Sequence, residues 1–159
     1  MKLYQRNSET IVFKNLPTTL KETVYKHCKL YNITDFEQAI ISCIQTTSEK
    51  KTQSFFKKLF SAPVKPIQII TILSDTCLIL VETSGSFVFS YQLKDIEINT
   101  QMEAIYAKQN IEDFGVDIFG FQNGANKKSS YFLGLGKDDA GQGFKNSLLE
   151  QLGSLKSSS

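Results

Sequence analysis

Three apolar runs in the middle of the chain set the tightest limit on its fold. "PIQIITILS", "TCLILVETS" and "SFVFSYQL" follow one another with almost nothing between them. Each is rich in β-branched or aromatic residues, and each is too short and too closely followed for a helix. Asp75-Thr76 separates the first two runs and Ser84-Gly85 the second and third. Connections that short join only antiparallel neighbours. The middle is therefore an antiparallel meander. Phe87, Phe89 and Tyr91 alternate with smaller residues, so they line one face of it.

The meander continues. "KDIEI" reads as a further strand. "MEAIYAKQNIED" reads as a polar connection, and "GVDIFGF" and "SSYFLGL" as a hairpin around "QNGANKK". At its tip Lys127-Lys128 reads as solvated. Upstream, "DFEQAIISCIQTTSEKK" mixes a helical period with β-branched residues. A helical turn near 35–38 followed by a strand near 39–47 accommodates both signals. "ETIVF" has the composition of a short strand that docks on the body.

Two helices flank the β region. Leu20, Val24, Cys28 and Tyr31 share a helical face, which predicts a helix over about 18–31. Pro17 precedes it, and Thr19 with Glu22 has the spacing of a capping box. His27 falls on the same helix and reads as a helix-face histidine. Adjacent helical residues point about 100° apart, so His27 and Cys28 do not face each other. At the other end Phe144, Leu148, Leu152 and Leu155 repeat at helical spacing, and "KSSS" reads as a frayed tail.

The chain has 159 residues, enough for one domain plus an extension. Its net charge of +2 is too small to imply nucleic acid. The longest uninterrupted apolar run, "CLILV", is far short of a membrane span, and "MKLYQRNSETIVF" lacks the apolar core of a signal peptide. Cys28, Cys43 and Cys77 are odd in number and widely spaced, as reduced thiols in a cytoplasm would be.

"GLGKDDAGQG" invites comparison with phosphate-binding loops. Gly136 and Gly141 have P-loop spacing, but Gln142 and Gly143 stand where the lysine and the hydroxyl belong. Asp139 occupies the third glycine of G-x-G-x-x-G. The stretch reads instead as a strand end, with Asp138 capping a helix and Gly141 letting that helix approach the sheet. Asp113 and Asp117 form a carboxylate pair by spacing alone, with nothing specific behind it.

The order of elements resembles the pleckstrin-homology-like superfold. "ITILSDTCLILVE" resembles the "LTDxRLIxV" hairpin of its bacterial members, through Leu73, Asp75, Leu78 and Ile79. "SYQLKDIEI" resembles the "IPLxDI" strand that follows, through Leu93, Asp95 and Ile96. "FLGLGKDDAGQGFKNSLLEQL" resembles the last strand and capping helix. The likeness covers roughly residues 36–155 and departs at Cys77, where a large basic or aromatic residue is commoner. It implies an α+β, mainly β fold: a barrel of two packed antiparallel sheets closed by a C-terminal helix. Residues 1–35 would be an N-terminal helical extension, 36–155 the domain and 156–159 a disordered tail.

The resemblance also implies that the loop after the first strand of that domain faces ligands. Here that loop is "SEKKTQSFFKKLFSAPVK". It makes Lys50, Lys51, Phe55, Phe56, Lys57, Lys58 and Phe60 the candidate contact residues. Lysines attract an anionic surface and phenylalanine rings enter an interface, but the favoured arrangement packs Phe55, Phe56, Leu59 and Phe60 inward as a short helix and leaves the lysines solvated. The expectation is a non-catalytic binding module for a protein partner or an anionic membrane surface, without cofactor, metal or catalytic residues. The alternatives are an enzyme of unknown reaction and a self-associating structural protein.

Overall fold

A computed structural model describes residues 4–50, 65–99 and 113–157. Among them are the strands β1 (Tyr4–Thr10), β2 (Ile40–Lys50), β3 (Ile67–Ser74), β4 (Cys77–Glu82), β5 (Val88–Ile98), β6 (Gly115–Gln122) and β7 (Ser129–Gly134). Helix α1 spans Thr18–Leu30 and helix α2 spans Asp139–Ser157. Each strand pairs antiparallel with the next, in the order β1 to β7, as one curled sheet. The two packed sheets expected from the resemblance are thus a single sheet here. Its curl lets one continuous ladder do what two stacked layers would do: enclose a core.

Both faces of the central strands are covered, which explains why β3 and β4 carry apolar residues on both sides over most of their length. On the concave face Leu73, Leu78, Leu80, Tyr91, Leu93, Val116, Ile118 and Leu133 pack with Phe144, Leu148 and Leu152 of α2. On the convex face Cys43, Ile70, Ile72, Cys77, Ile79 and Val81 pack with Leu20, Val24 and Cys28 of α1. The register makes the alternation visible: Ile72 sits opposite Ile79 and Leu73 opposite Leu78. A strand buried on both sides has no polar face to alternate with.

Helix α1 is therefore a second layer of the body, lying against β4 and β5, and not an extension beside it. Phe13, Tyr25 and Phe36 join it to the flanking segments through edge-to-face and tilted ring contacts. The Thr19–Glu22 box does not form. The helix begins at Thr18, as the sequence predicts, but its cap is Pro17 with no side-chain bond, and the Thr19 carbonyl instead accepts the Thr23 hydroxyl at 2.9 Å.

Several boundaries differ from the sequence pattern for local reasons. The first strand is Tyr4–Thr10, upstream of "IVF"; Phe13 turns inward as part of a short 3₁₀ helix, Phe13–Asn15. "KDIEI" is not a separate strand. β5 runs on through Lys94 and Asp95, and an irregularity in its pairing with β6 between Tyr91 and Ile96 absorbs the two exposed residues. α2 continues through Gly153 to Ser157, where the Ser157 hydroxyl bonds the Gly153 carbonyl, so residues 156 and 157 are helical and not a frayed tail. The tight turns carry their glycines at positive φ: Gly85 at 74° and Gly124 at 86°.

Candidate functional site

The sheet curls until β1 faces the end of β7, but the two strands do not pair through their backbones. Side chains hold the seam instead. The Asp138 carboxylate accepts the Ser8 backbone N–H at 2.6 Å with one oxygen and the Gly141 N–H at 2.8 Å with the other. The Ser8 hydroxyl accepts the Gly136 N–H at 2.9 Å and bonds the Thr46 hydroxyl at 2.8 Å. Asp138 is thus the helix cap the sequence suggested, and a clasp on a strand 130 residues away as well. Gly141 is needed for close approach, though to a different surface: a side chain there would run into the Gly136 carbonyl, not the sheet. Two backbone amides of the glycine stretch, those of Gly136 and Gly141, already serve the protein's own hydroxyl and carboxylate.

One turn along the seam lies Arg6. Its Nε donates to Ser48 Oγ at 3.1 Å, and its Nη1 donates to Asp113 Oδ1 in an ion pair. The guanidinium lies 4.8 Å from the Tyr4 ring centre and 5.6 Å from that of Phe132. Gly134 makes room for it, because a Cβ there would collide with the guanidinium nitrogen and carbon. Arg6 and Asp113 are both nearly buried, with side chains 12% and 13% exposed. Their charges cancel at short range, where the surrounding protein screens little.

Beside this pair, at the open end of the curl, is a cavity of about 190 Å³. Ile67, Ile69, Tyr131 and Leu133 form its apolar walls, and Arg6, Thr46 and Ser48 its polar side. Thr71 also lines it. That residue is fully buried, and its hydroxyl, which reaches no accessible surface, has no hydrogen-bond partner among the described residues. Burial pushes the Tyr131 phenol up to about 12, with Tyr91 adding to the rise and Arg6 opposing it, so the ring is neutral. The cavity mouth is an uncharged pocket with a matched ion pair at its rim.

The contact loop expected from the sequence starts and ends at this rim. Lys50 is exposed, closes β2 opposite Tyr4, and the chain re-enters the sheet at Ile67 in the cavity wall. Lys51, Phe55, Phe56, Lys57, Lys58 and Phe60 lie outside the described residues. Asp113 and Asp117 do not act as a pair. Asp113 belongs to Arg6, while Asp117 is buried in β6 with one carboxylate oxygen unpartnered among the described residues, and burial raises its pKa.

His27 is more than a face histidine. It is 7% exposed, and its Nε2 lies 2.8 Å from Ser90 Oγ. Asn123 Nδ2 donates to the same hydroxyl at 2.7 Å, which leaves the serine proton for the imidazole. Burial lowers the His27 pKa, in keeping with a neutral ring. Ser90 is fully buried beneath α1, so the trio pins the helix to β5 and to the β6–β7 turn. The three cysteines are buried in the convex core, and burial pushes Cys28 and Cys43 up to about 12. Thiols held that far from ionisation are packing residues.

A second concavity, about 410 Å³, lies on the convex side between Ile11, Val12, Phe13 and Ile40–Cys43. Val12 and Ile41 stay exposed there. Among the described residues no helix is long and apolar enough to cross a membrane. No family model, curated protein or solved structure matches the chain.

Arg6 and Thr71 were not singled out by their sequence, and Asp113 was read only as a partner of Asp117. The one available signal was in "YQRNSET": Tyr4, Arg6 and Ser8 occupy the concave positions of β1, where an ordinary barrel strand would carry aliphatic residues.

Proposed function

We propose that the chain is a non-catalytic binding module of pleckstrin-homology-like layout, which takes its ligand at the mouth of the curled sheet. The observation that carries this is the cavity of about 190 Å³ between β1, β3 and β7, with Ile67, Ile69, Tyr131 and Leu133 as its apolar walls and Arg6, Thr46 and Ser48 on its polar side. A concavity with mostly apolar walls and a few placed polar groups is where small ligands bind. Support for the layout comes from the consecutive antiparallel strands and from α2 across the concave face.

The electrostatics favour an uncharged ligand over an anionic membrane surface, because Asp113 already neutralises Arg6. The test is a screen of small soluble probes against the full chain, read by protein NMR. Binding at the mouth shifts the signals of Ile67, Ile69, Thr71, Tyr131 and Leu133 together. Shifts that cluster instead on Val12 and Ile41 would move the site to the convex groove.

A further inference from the structure

We infer that the mouth cavity binds a small neutral carbonyl compound of the ketone or ester class, with a compact apolar body and an oxygen that accepts from the tyrosine hydroxyls on the cavity, those of Tyr131 and Tyr4. This rests on the mouth being the binding site and adds the chemistry of the ligand.

The lining is rich in donors and poor in acceptors. Tyr4 and Tyr131 both bring a phenol hydroxyl to the cavity, and neither hydroxyl makes a hydrogen bond among the described residues. Their rings are held by other contacts. The Tyr4 ring centre lies 4.8 Å from the Arg6 guanidinium, and Tyr131 meets Phe89 edge to face at 5.0 Å. Burial pushes the Tyr131 phenol up to about 12, so it keeps its proton and can donate it. Arg6 adds N–H groups, which only donate. The oxygens of Thr46 and Ser48 are already engaged by Ser8 and by Arg6 Nε. No carboxylate, side-chain amide or imidazole lines the cavity among the described residues. A ligand oxygen that only accepts matches this set, and a carbonyl is such an oxygen. Thr71 takes no part, because its hydroxyl reaches no accessible surface.

Charge and size narrow the class further. Asp113 already holds the guanidinium, so an anion would lose its hydration without gaining a free counter-charge. A cation would meet Arg6 with no carboxylate on the lining to offset it. The cavity is about 190 Å³, a little larger than the ~150 Å³ apolar cavity that admits benzene, so it suits roughly eight or nine heavy atoms. Ile67, Ile69 and Leu133 offer aliphatic surface to most of them.

Methyl and amide NMR on the full chain, with acetophenone, ethylbenzene and benzoate as probes, tests this. Acetophenone and ethylbenzene share a body and differ in the carbonyl oxygen; benzoate adds a charge. Acetophenone is expected to shift Ile67, Ile69 and Leu133 saturably, and to bind about five-fold tighter than ethylbenzene, the worth of one neutral hydrogen bond. The double variant Tyr4→Phe with Tyr131→Phe should erase that preference and leave ethylbenzene binding as it was. It keeps both rings, and with them the contacts to Arg6 and Phe89, so the protein stays folded. Ile67→Trp, at a half-exposed rim position, should plug the mouth and abolish binding of acetophenone and ethylbenzene alike.

Benzoate binding as tightly as acetophenone would overturn the neutral class and leave the mouth as the site. Ethylbenzene matching acetophenone in the unmodified protein would overturn the carbonyl, again with the site intact. A preference that survives in the double variant would remove the tyrosine hydroxyls as its donors. If no probe moves the mouth signals, the class and the site fall together.

Discussion

Replacing Gly141 and Gly143 by alanine, one at a time, should shift stability in opposite directions. Both residues lie in the first turns of α2, two positions apart. Alanine is the better helix former by roughly 0.5–1 kcal/mol at such sites. At Gly143 a new Cβ meets nothing within 4 Å, so that gain should appear undiminished. At Gly141 the Cβ would overlap the Gly136 carbonyl oxygen and press on the Gly136 backbone nitrogen at 3.0 Å. The obstacle is main chain held by the Ser8 hydroxyl, and it cannot swing aside as a side-chain tip would. Overpacking of this kind costs about 1–3 kcal/mol, so Gly141→Ala should be net destabilising by about 1–2 kcal/mol. Urea denaturation followed by circular dichroism gives both numbers if the slopes stay constant. Equal gains from the two substitutions would mean that α2 does not sit against the seam, and the account of how the sheet closes would fail.

Three further outcomes are expected. His27 is buried neutral with its pKa lowered, so its contribution is present above the ordinary histidine value of 6.5 and is lost as pH falls through it. The urea midpoint should therefore drop further between about pH 7 and pH 5 in the unmodified protein than in His27→Gln, and parallel curves would refute the neutral assignment. Asp138→Ala removes a helix cap and the Ser8 bond together, and should cost about 1–3 kcal/mol with faster amide exchange at Ser8 and Gly141. Phe144→Ala opens the concave core and should cost about 3–5 kcal/mol by the same denaturation assay; a loss under about 1 kcal/mol would put Phe144 outside it.

What could be read from the chain followed range of interaction. The β3–β4–β5 meander was legible because its evidence is local: apolar strands joined by turns of a few residues. The same holds for α2, where Phe144, Leu148 and Leu152 repeat on one face. Asp138 could be read as a cap because its partner Gly141 is three residues on, yet its second bond, to Ser8, joins opposite ends of the chain and leaves no local trace. His27 read only as a helix-face histidine because its partner, Ser90, is 63 residues away. The single curled sheet also escaped the pattern. Strand alternation specifies which residues share a face, not how far the faces bend. The site was hidden for the same reason, since Arg6, Thr46, Ile69 and Leu133 come from four separate strands that only the curl brings around one cavity.

A crystal structure of the full chain soaked with small uncharged probes of apolar body tests the mouth as the binding site most directly. The expected result is a probe seated between Ile69, Tyr131 and Leu133 with the Arg6–Asp113 pair intact. A mouth that holds only water while the probes bind elsewhere would contradict it.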